Sequence, residues 1–129
     1  VKYLVTGVSG FIGSRIAHRL CELGHQVVGI DNLNDYYDVS LKESRLSTLL
    51  RYPNFLFQKL NIIEYNTISS LFKREQFDRV IHLAAQAGVR YSLENPFAYA
   101  DSNLTGHLAI LEGCRQAKVK HLVYASSSS

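Results

Sequence analysis

The stretch VTGVSGFIGS, residues 5–14, carries glycines at positions 7, 10 and 13, each three residues after the last. A short apolar run, Lys2–Thr6, leads into it, and a segment of helical periodicity leaves it at Phe11. A strand that turns into a helix through glycines aims free backbone N–H groups and the positive helix end at one spot. That arrangement holds a phosphate. Tight packing of strand against helix selects the same glycines, so the pattern alone is weak evidence. Asp31 strengthens it, standing at the tip of a second apolar run, Gln26–Ile30. A carboxylate there accepts hydrogen bonds from both hydroxyls of a ribose and repels a 2′-phosphate. Together the features point to a dinucleotide, and to NAD rather than NADP. The bland alternative is that Asp31 merely starts a turn.

These groups need elements to position them. Ile12, Ile16 and Leu20 recur every four residues, which predicts an amphipathic helix over Phe11–Leu23, stopped by Gly24. Ser40 with Glu43 three residues later reads as a capping box, opening a helix that carries Leu41, Leu46, Leu49 and Leu50 and is closed by Pro53. Phe55–Leu60 reads as a third strand, and Ile68, Leu71 and Phe72 mark a short helix. Arg79–Ala84 is a fourth strand, followed by a loop over 85–94. Asn95–Pro96 starts a long helix to Ala117, with Phe97, Ala100, Leu104, Leu108 and Leu111 on one face. His121–Ala125 is a fifth strand. Strands alternating with helices predict one α/β domain over residues 1–129, a doubly wound parallel sheet of order 3-2-1-4-5. Ligands bind such a sheet at the carboxyl ends of its strands. The segments 7–13, 31–34, 84–90 and 126–129 are therefore expected to meet at one crevice.

Composition narrows the classes of function. With 129 residues, 47% of them apolar and 19% charged, the chain is an ordinary globular domain. A formal charge of +3, with Lys and Arg scattered, gives little support to a nucleic-acid or membrane-surface partner. No apolar stretch approaches a membrane span, and the first residues lack the layout of a signal peptide. Cys21 and Cys114, both in expected helices, read as buried free thiols suited to a reducing cytoplasm. His82 sits inside a strand and reads as a packed core residue. The histidines show no ligand spacing, so no metal site is expected. Tyr36 and Tyr37 read as loop packing.

The G-x-x-G-x-x-G spacing within TGVSGFIG resembles the extended short-chain dehydrogenase/reductase family. The likeness continues through DNLND at 31–35, HLAAQAGVRYS at 82–92, NPFAYADSNLTGHL at 95–108 and YASSSS at 124–129. Within that family these segments are similar to the nucleotide-sugar epimerases, and DNLNDYYD combined with AAQAGVRYSLENP to the UDP-glucuronate 4-epimerases. The resemblance covers this whole chain but only the N-terminal, cofactor-binding part of such an enzyme. It implies that Gly7, Gly10, Phe11, Ile12 and Gly13 hold the pyrophosphate of NAD and that Asp31 and Asn32 hold the adenosine ribose. Asn61–Ile62 falls where the family has Asp-Ile beside the adenine. An Asn there can still accept from the adenine amino group but lacks the charge. Leu83, Ala84, Ala85 and Gln86 are expected to line the nicotinamide ribose, with Asn103 behind them.

The resemblance also implies a reaction: inversion at C4 of a UDP-sugar through a 4-keto intermediate that is reduced again on its other face. Ser127 aligns with the catalytic Ser/Thr that bonds the sugar 4-hydroxyl and relays its proton. Ser128 and Ser129 stand where related 4,6-dehydratases place Asp-Glu, which disfavours dehydration and leaves both hydroxyls to substrate binding. Arg90 is assigned to the substrate diphosphate or a glucuronate carboxylate, with a solvated surface arginine as the alternative. The family's Tyr-x-x-x-Lys base is missing, since Tyr91, Tyr99 and Tyr124 each lack Lys four residues on. The chain by itself is therefore expected to be inactive. In the family the 96–117 helix contributes to a homodimer interface. Two other readings stand beside this one: a non-catalytic dinucleotide-binding module, and a nucleotide-sugar decarboxylase or reductase.

Overall fold

The computed structural model describes residues 1–31, 39–62, 64–83 and 106–124, with only the backbone of Val39 and Tyr124. Among the described residues five strands alternate with helices: β1 (Lys2–Thr6), α1 (Phe11–Glu22), β2 (Gln26–Asp31), α2 (Val39–Leu49) and β3 (Phe55–Lys59). They continue as α3 (Tyr65–Glu75), β4 (Arg79–His82), α4 (Gly106–Ala117) and β5 (His121–Tyr124). All four pairings are parallel, and the order is β3-β2-β1-β4-β5, as the alternation of elements predicts.

A parallel sheet covered on both faces needs strands that are apolar on both sides. β1 is such a strand: Leu4 and Val5 are adjacent and fully buried, yet belong to opposite layers. Leu4 joins Val28, Ile30 and Val80 under α3 and α4, where Ile68, Leu71, Phe72 and Ile110 complete the layer. Val5 joins Val27 and Phe55 under α1 and α2, where Ala17, Cys21, Leu46 and Leu49 close the other side. Each thiol lies in a different layer, and burial pushes both up to about 11.

Helix ends follow local chemistry. α1 stops at Gly24, whose φ of +87° is the left-handed conformation glycine adopts without a Cβ penalty. His25 N–H then folds back onto the Leu20 carbonyl at 3.1 Å. The expected capping box is corrected at α2: the helix begins at Val39, so Ser40 is its second residue and cannot be the residue preceding it. Leu41 and Leu50 also face outward, while Lys42 of the same segment is buried. On α4 the buried face is Gly106, Ala109, Ile110, Gly113 and Cys114, and the periodic leucines 108 and 111 point away from the sheet. Its small residues permit close approach, since a Cβ on Gly113 would lie 2.5 Å from the Phe72 ring. The expected start of this helix at 95–96 and the loop over 85–94 lie outside the described residues.

Candidate functional site

Register brings three strand ends level. Thr6 pairs with Ile30 on one side and with His82 on the other, so Gly7, Asp31 and Leu83 leave the sheet side by side. β5 ends opposite His82, at Tyr124.

At the centre the chain turns from β1 into α1. Gly7 takes φ +69°, a left-handed conformation, and its N–H donates to the Ile30 carbonyl at 2.9 Å. Gly10 N–H closes the turn on the Gly7 carbonyl at 3.0 Å. The first helical bond runs from Ser14 N–H to the Gly10 carbonyl at 2.9 Å. Phe11, Ile12 and Gly13 therefore present N–H groups with no acceptor inside the helix. A Cβ on Gly13 would sit 2.2 Å from the Gly7 carbonyl oxygen, so only glycine lets the helix start this close to the strand. Phe11 and Ile12 project outward at the mouth of the turn, 57% and 60% exposed.

Asp31 closes one flank. It is buried at 7% exposure, and its Oδ2 accepts from the Ser9 hydroxyl at 2.6 Å and the Ser9 amide at 3.2 Å. Ser9 escaped the sequence reading because its partner is 22 residues away and only the β1–β2 register unites them. Arg45 of α2 also reaches in, donating from Nη1 to the Ser9 carbonyl at 3.3 Å. The guanidinium groups of Arg15 and Arg45 stand 4.4 Å and 5.7 Å from the Phe11 ring centroid, within range of the ring's quadrupole. Both arginines put positive charge at the rim of the turn, which favours an anionic ligand.

The other flank is tied by Thr6. Leu83 N–H reaches the Thr6 hydroxyl at 2.9 Å and its carbonyl at 3.2 Å, so the chain leaving β4 is pinned to the end of β1. The same hydroxyl shares a 2.6 Å hydrogen bond with His82 Nδ1. His82 is buried, as expected of a core histidine, and its ring stacks on that of His107 with centroids 5.2 Å apart. Burial, with His107 adding to it, pushes His82 down to about 4, so at neutral pH the ring is uncharged. Neither Thr6 nor His107 was singled out in the sequence, since 76 residues separate Thr6 from His82.

Asn61 follows β3, and Leu60 N–H donates to the Asp31 carbonyl at 3.1 Å, so Asn61 lies beside the Asp31 flank. Ile62 is spent on packing: its side chain is in the core, and a Cβ on Gly106 would meet it at 2.2 Å. What Ile62 can offer a ligand is backbone. Asn32, Ala84, Ala85, Gln86, Arg90, Asn103, Ser127, Ser128 and Ser129 lie outside the described residues, as do Tyr36 and Tyr37. Among the described residues no three or more His, Cys, Asp or Glu side chains group as metal ligands, and no helix is long and apolar enough to cross a membrane.

The chain is 60% identical over 129 residues to an uncharacterised 37.6 kDa protein of Escherichia coli O111:H-, covering 100% of this chain and 38% of that protein. It is 51% identical over 127 residues to the UDP-glucuronate 4-epimerase of Thermodesulfobacterium geofontis, covering 98% of this chain and 39% of that enzyme. Among solved structures it superimposes on the UDP-glucuronic acid 4-epimerase of Bacillus cereus in complex with UDP-glucuronic acid and NAD. The TM-score is 0.90 at 34% identity, over 100% of this chain and 41% of the other. The chain thus spans well under half the length of the relatives it matches. These likenesses agree with the resemblance to nucleotide-sugar epimerases read from the motifs. The model of the family described as GDP-mannose 4,6 dehydratase matches residues 4–129, and the chain belongs to that family.

Proposed function

We propose that residues 1–129 are the NAD-binding part of a UDP-sugar 4-epimerase that interconverts UDP-glucuronate and UDP-galacturonate. The observation that carries this reading is the Asp31 carboxylate, fixed by Ser9 beside the glycine turn at the carboxyl edge of the sheet. The residues fit a dinucleotide: a helix start brought close against the strand end by the missing Cβ of Gly13, and an acid one strand away. The names of the relatives support the sugar.

When bound, NAD supplies a reversible hydride acceptor for C4 of the sugar. The chain's own residues bind and orient. Gly7, Gly10, Phe11, Ile12 and Gly13 hold the pyrophosphate on the helix N-terminus. Asp31 and Asn32 hold the adenosine ribose, and Asn61 with the Ile62 backbone meets the adenine. Leu83, Ala84, Ala85, Gln86 and Asn103 surround the nicotinamide ribose. Ser127 holds the sugar 4-hydroxyl and passes on its proton, while Arg90 pairs with the diphosphate or the sugar carboxylate. Ser128 and Ser129 contact the sugar. Lacking an acid–base pair there, the site favours epimerisation over the dehydration that the family's description names. The base is a Tyr-x-x-x-Lys beyond these residues, so the 129-residue chain alone leaves UDP-glucuronate unchanged.

Two further readings belong to the same proposal. A homodimer forms through the segment 96–117, supported by the outward Leu108 and Leu111 of α4. Replacing both leucines by Glu in the full-length gene product is expected to yield monomers in sedimentation velocity. The protein works in the cytoplasm, supported by two buried free thiols.

The test is direct. The full-length gene product is expected to bind NAD in preference to NADP by calorimetry and to convert UDP-glucuronate to UDP-galacturonate. Asp31→Ala is expected to weaken NAD at least about tenfold, the scale of lost charged hydrogen bonds. NAD binding without any sugar turnover returns the protein to a non-catalytic module. Release of carbon dioxide makes it a decarboxylase.

A further inference from the structure

We infer that Ser9 is a positioning residue: by holding the Asp31 carboxylate it sets how strongly the site prefers a free ribose 2′-hydroxyl to a 2′-phosphate. The inference rests on the reading that Asp31 meets the adenosine ribose. Ser9 is fully buried and Asp31 nearly so, and both donors of one residue converge on a single carboxylate oxygen. The hydroxyl bond, at 2.6 Å, is the shorter of the two and has the length of a charge-assisted bond. Ser9 is itself held. Its carbonyl accepts from Arg45, and the turn around it is closed by Gly10 on Gly7. The carboxylate is thereby tied to the same turn whose N–H groups face the mouth of the site. Ser9 thus links the helix end, where a phosphate would rest, to the end of β2, where a ribose would rest. Side-chain rotation of Asp31 about its own bonds is what the Ser9 hydroxyl removes, and pre-set geometry of this kind is worth affinity because ordering is not left to the ligand.

The experiment measures NAD and NADP affinities by calorimetry on the full-length gene product and on Ser9→Ala, Asp31→Ala and the double variant, with thermal melts to confirm folding. Ser9→Ala is expected to weaken NAD about tenfold and NADP less than about twofold, narrowing the preference. In the Asp31→Ala background the same change is expected to cost less than about twofold, because Ser9 acts through Asp31. Ser9→Cys, which keeps a donor on the same Cβ though a weaker and larger one, is expected to fall between, and carries the same comparison if the alanine variant melts early. Equal loss of NAD and NADP affinity, or an undiminished cost in the double variant, overturns the inference and leaves Ser9 a merely structural residue. A weakened Asp31→Ala beside an unaffected Ser9→Ala overturns it alone. Asp31→Ala that binds NAD as tightly as the parent overturns the ribose reading, and the inference falls with it.

Discussion

Gly13→Ala is expected to abolish NAD binding at accessible concentrations and to lower stability by ~3 kcal/mol, the upper range for forcing an atom into a packed site. Two effects oppose each other. Alanine is the better helix former, by ~1 kcal/mol in a helix interior. The added Cβ, however, would stand 2.2 Å from the Gly7 carbonyl oxygen and 3.0 Å from its carbonyl carbon, both backbone atoms. Backbone cannot rotate aside as a side chain end can, so α1 has to move off β1. That motion drags the N–H groups of Phe11, Ile12 and Gly13 from the place where we propose that a pyrophosphate meets them. Misplacement of the helix end by a few tenths of an ångström already costs charge-assisted hydrogen bonds, and loss of two of them amounts to ~3 kcal/mol or more than 100-fold in affinity. Gly24→Ala is the control. Gly24 has φ +87° but nothing within 4 Å of a Cβ, so the cost there is ~1 kcal/mol of left-handed strain. NAD affinity is expected to stay unchanged in that variant. Calorimetry and urea unfolding on the two proteins separate the effects, and a Gly13→Ala protein that binds NAD normally would show that the turn is not the phosphate site.

The second large effect is on stability against pH. His82 goes from an ordinary 6.5 in the unfolded chain to about 4 in the fold, through burial first and the neighbouring His107 second. Its neutral form is the one the fold prefers. Between those values the unfolded chain binds the extra proton, so the contribution is fully present above pH 6.5 and is lost as pH falls toward 4. Over the whole window the loss is about 3 kcal/mol, and about 2 kcal/mol of it falls between pH 7 and pH 5. Glu75 and Glu112 are held below the usual carboxylate range, each by hydrogen bonds to cations, so what they contribute is present at neutral pH and is lost only in more acid solution than this window covers. Urea unfolding at pH 7 and pH 5 is the measurement. His82→Asn, whose amide can take up the Thr6 hydrogen bond without titrating, is expected to lose this component of the difference. An unchanged pH dependence in that variant would place the titration elsewhere.

What could be read from the sequence was whatever depends on neighbours in the chain. Apolar runs ended by Gly7 and Asp31, and helical spacing from Ile12 to Leu20, are local patterns, and the strand order is a doubly wound one that right-handed crossovers favour. The positions of Asp31 and the glycines were legible because a strand tip and a helix start are local features. Ser9, Thr6 and Arg45 were not, because each acts across strands or helices on a residue 22, 76 or 36 positions away. At α2 the local signal misled. Ser40 and Glu43 have capping-box spacing, yet the helix starts one residue earlier, and its leucines divide, with 46 and 49 inward and 41 and 50 outward. At about 100° per residue the four leucines spread over roughly half the circumference, wider than the one face that meets the core. On α4 apolar periodicity marks the outward face, because Gly106, Ala109 and Gly113 are what fit against Ile62 and Phe72.

The division of the two cysteines between opposite layers gives this protein a pair of internal clocks. Cys21 sits under α1 and α2, Cys114 under α3 and α4, and each reacts with an alkylating reagent only when its own layer opens and its thiol can ionise. Labelling rates at the two positions, followed by mass spectrometry with and without dinucleotide, time the opening of each half of the sandwich separately. A ligand seated on the glycine turn touches the helix that carries Cys21. Its binding is therefore recorded as a slowing of one clock relative to the other, with no engineered probe in the chain.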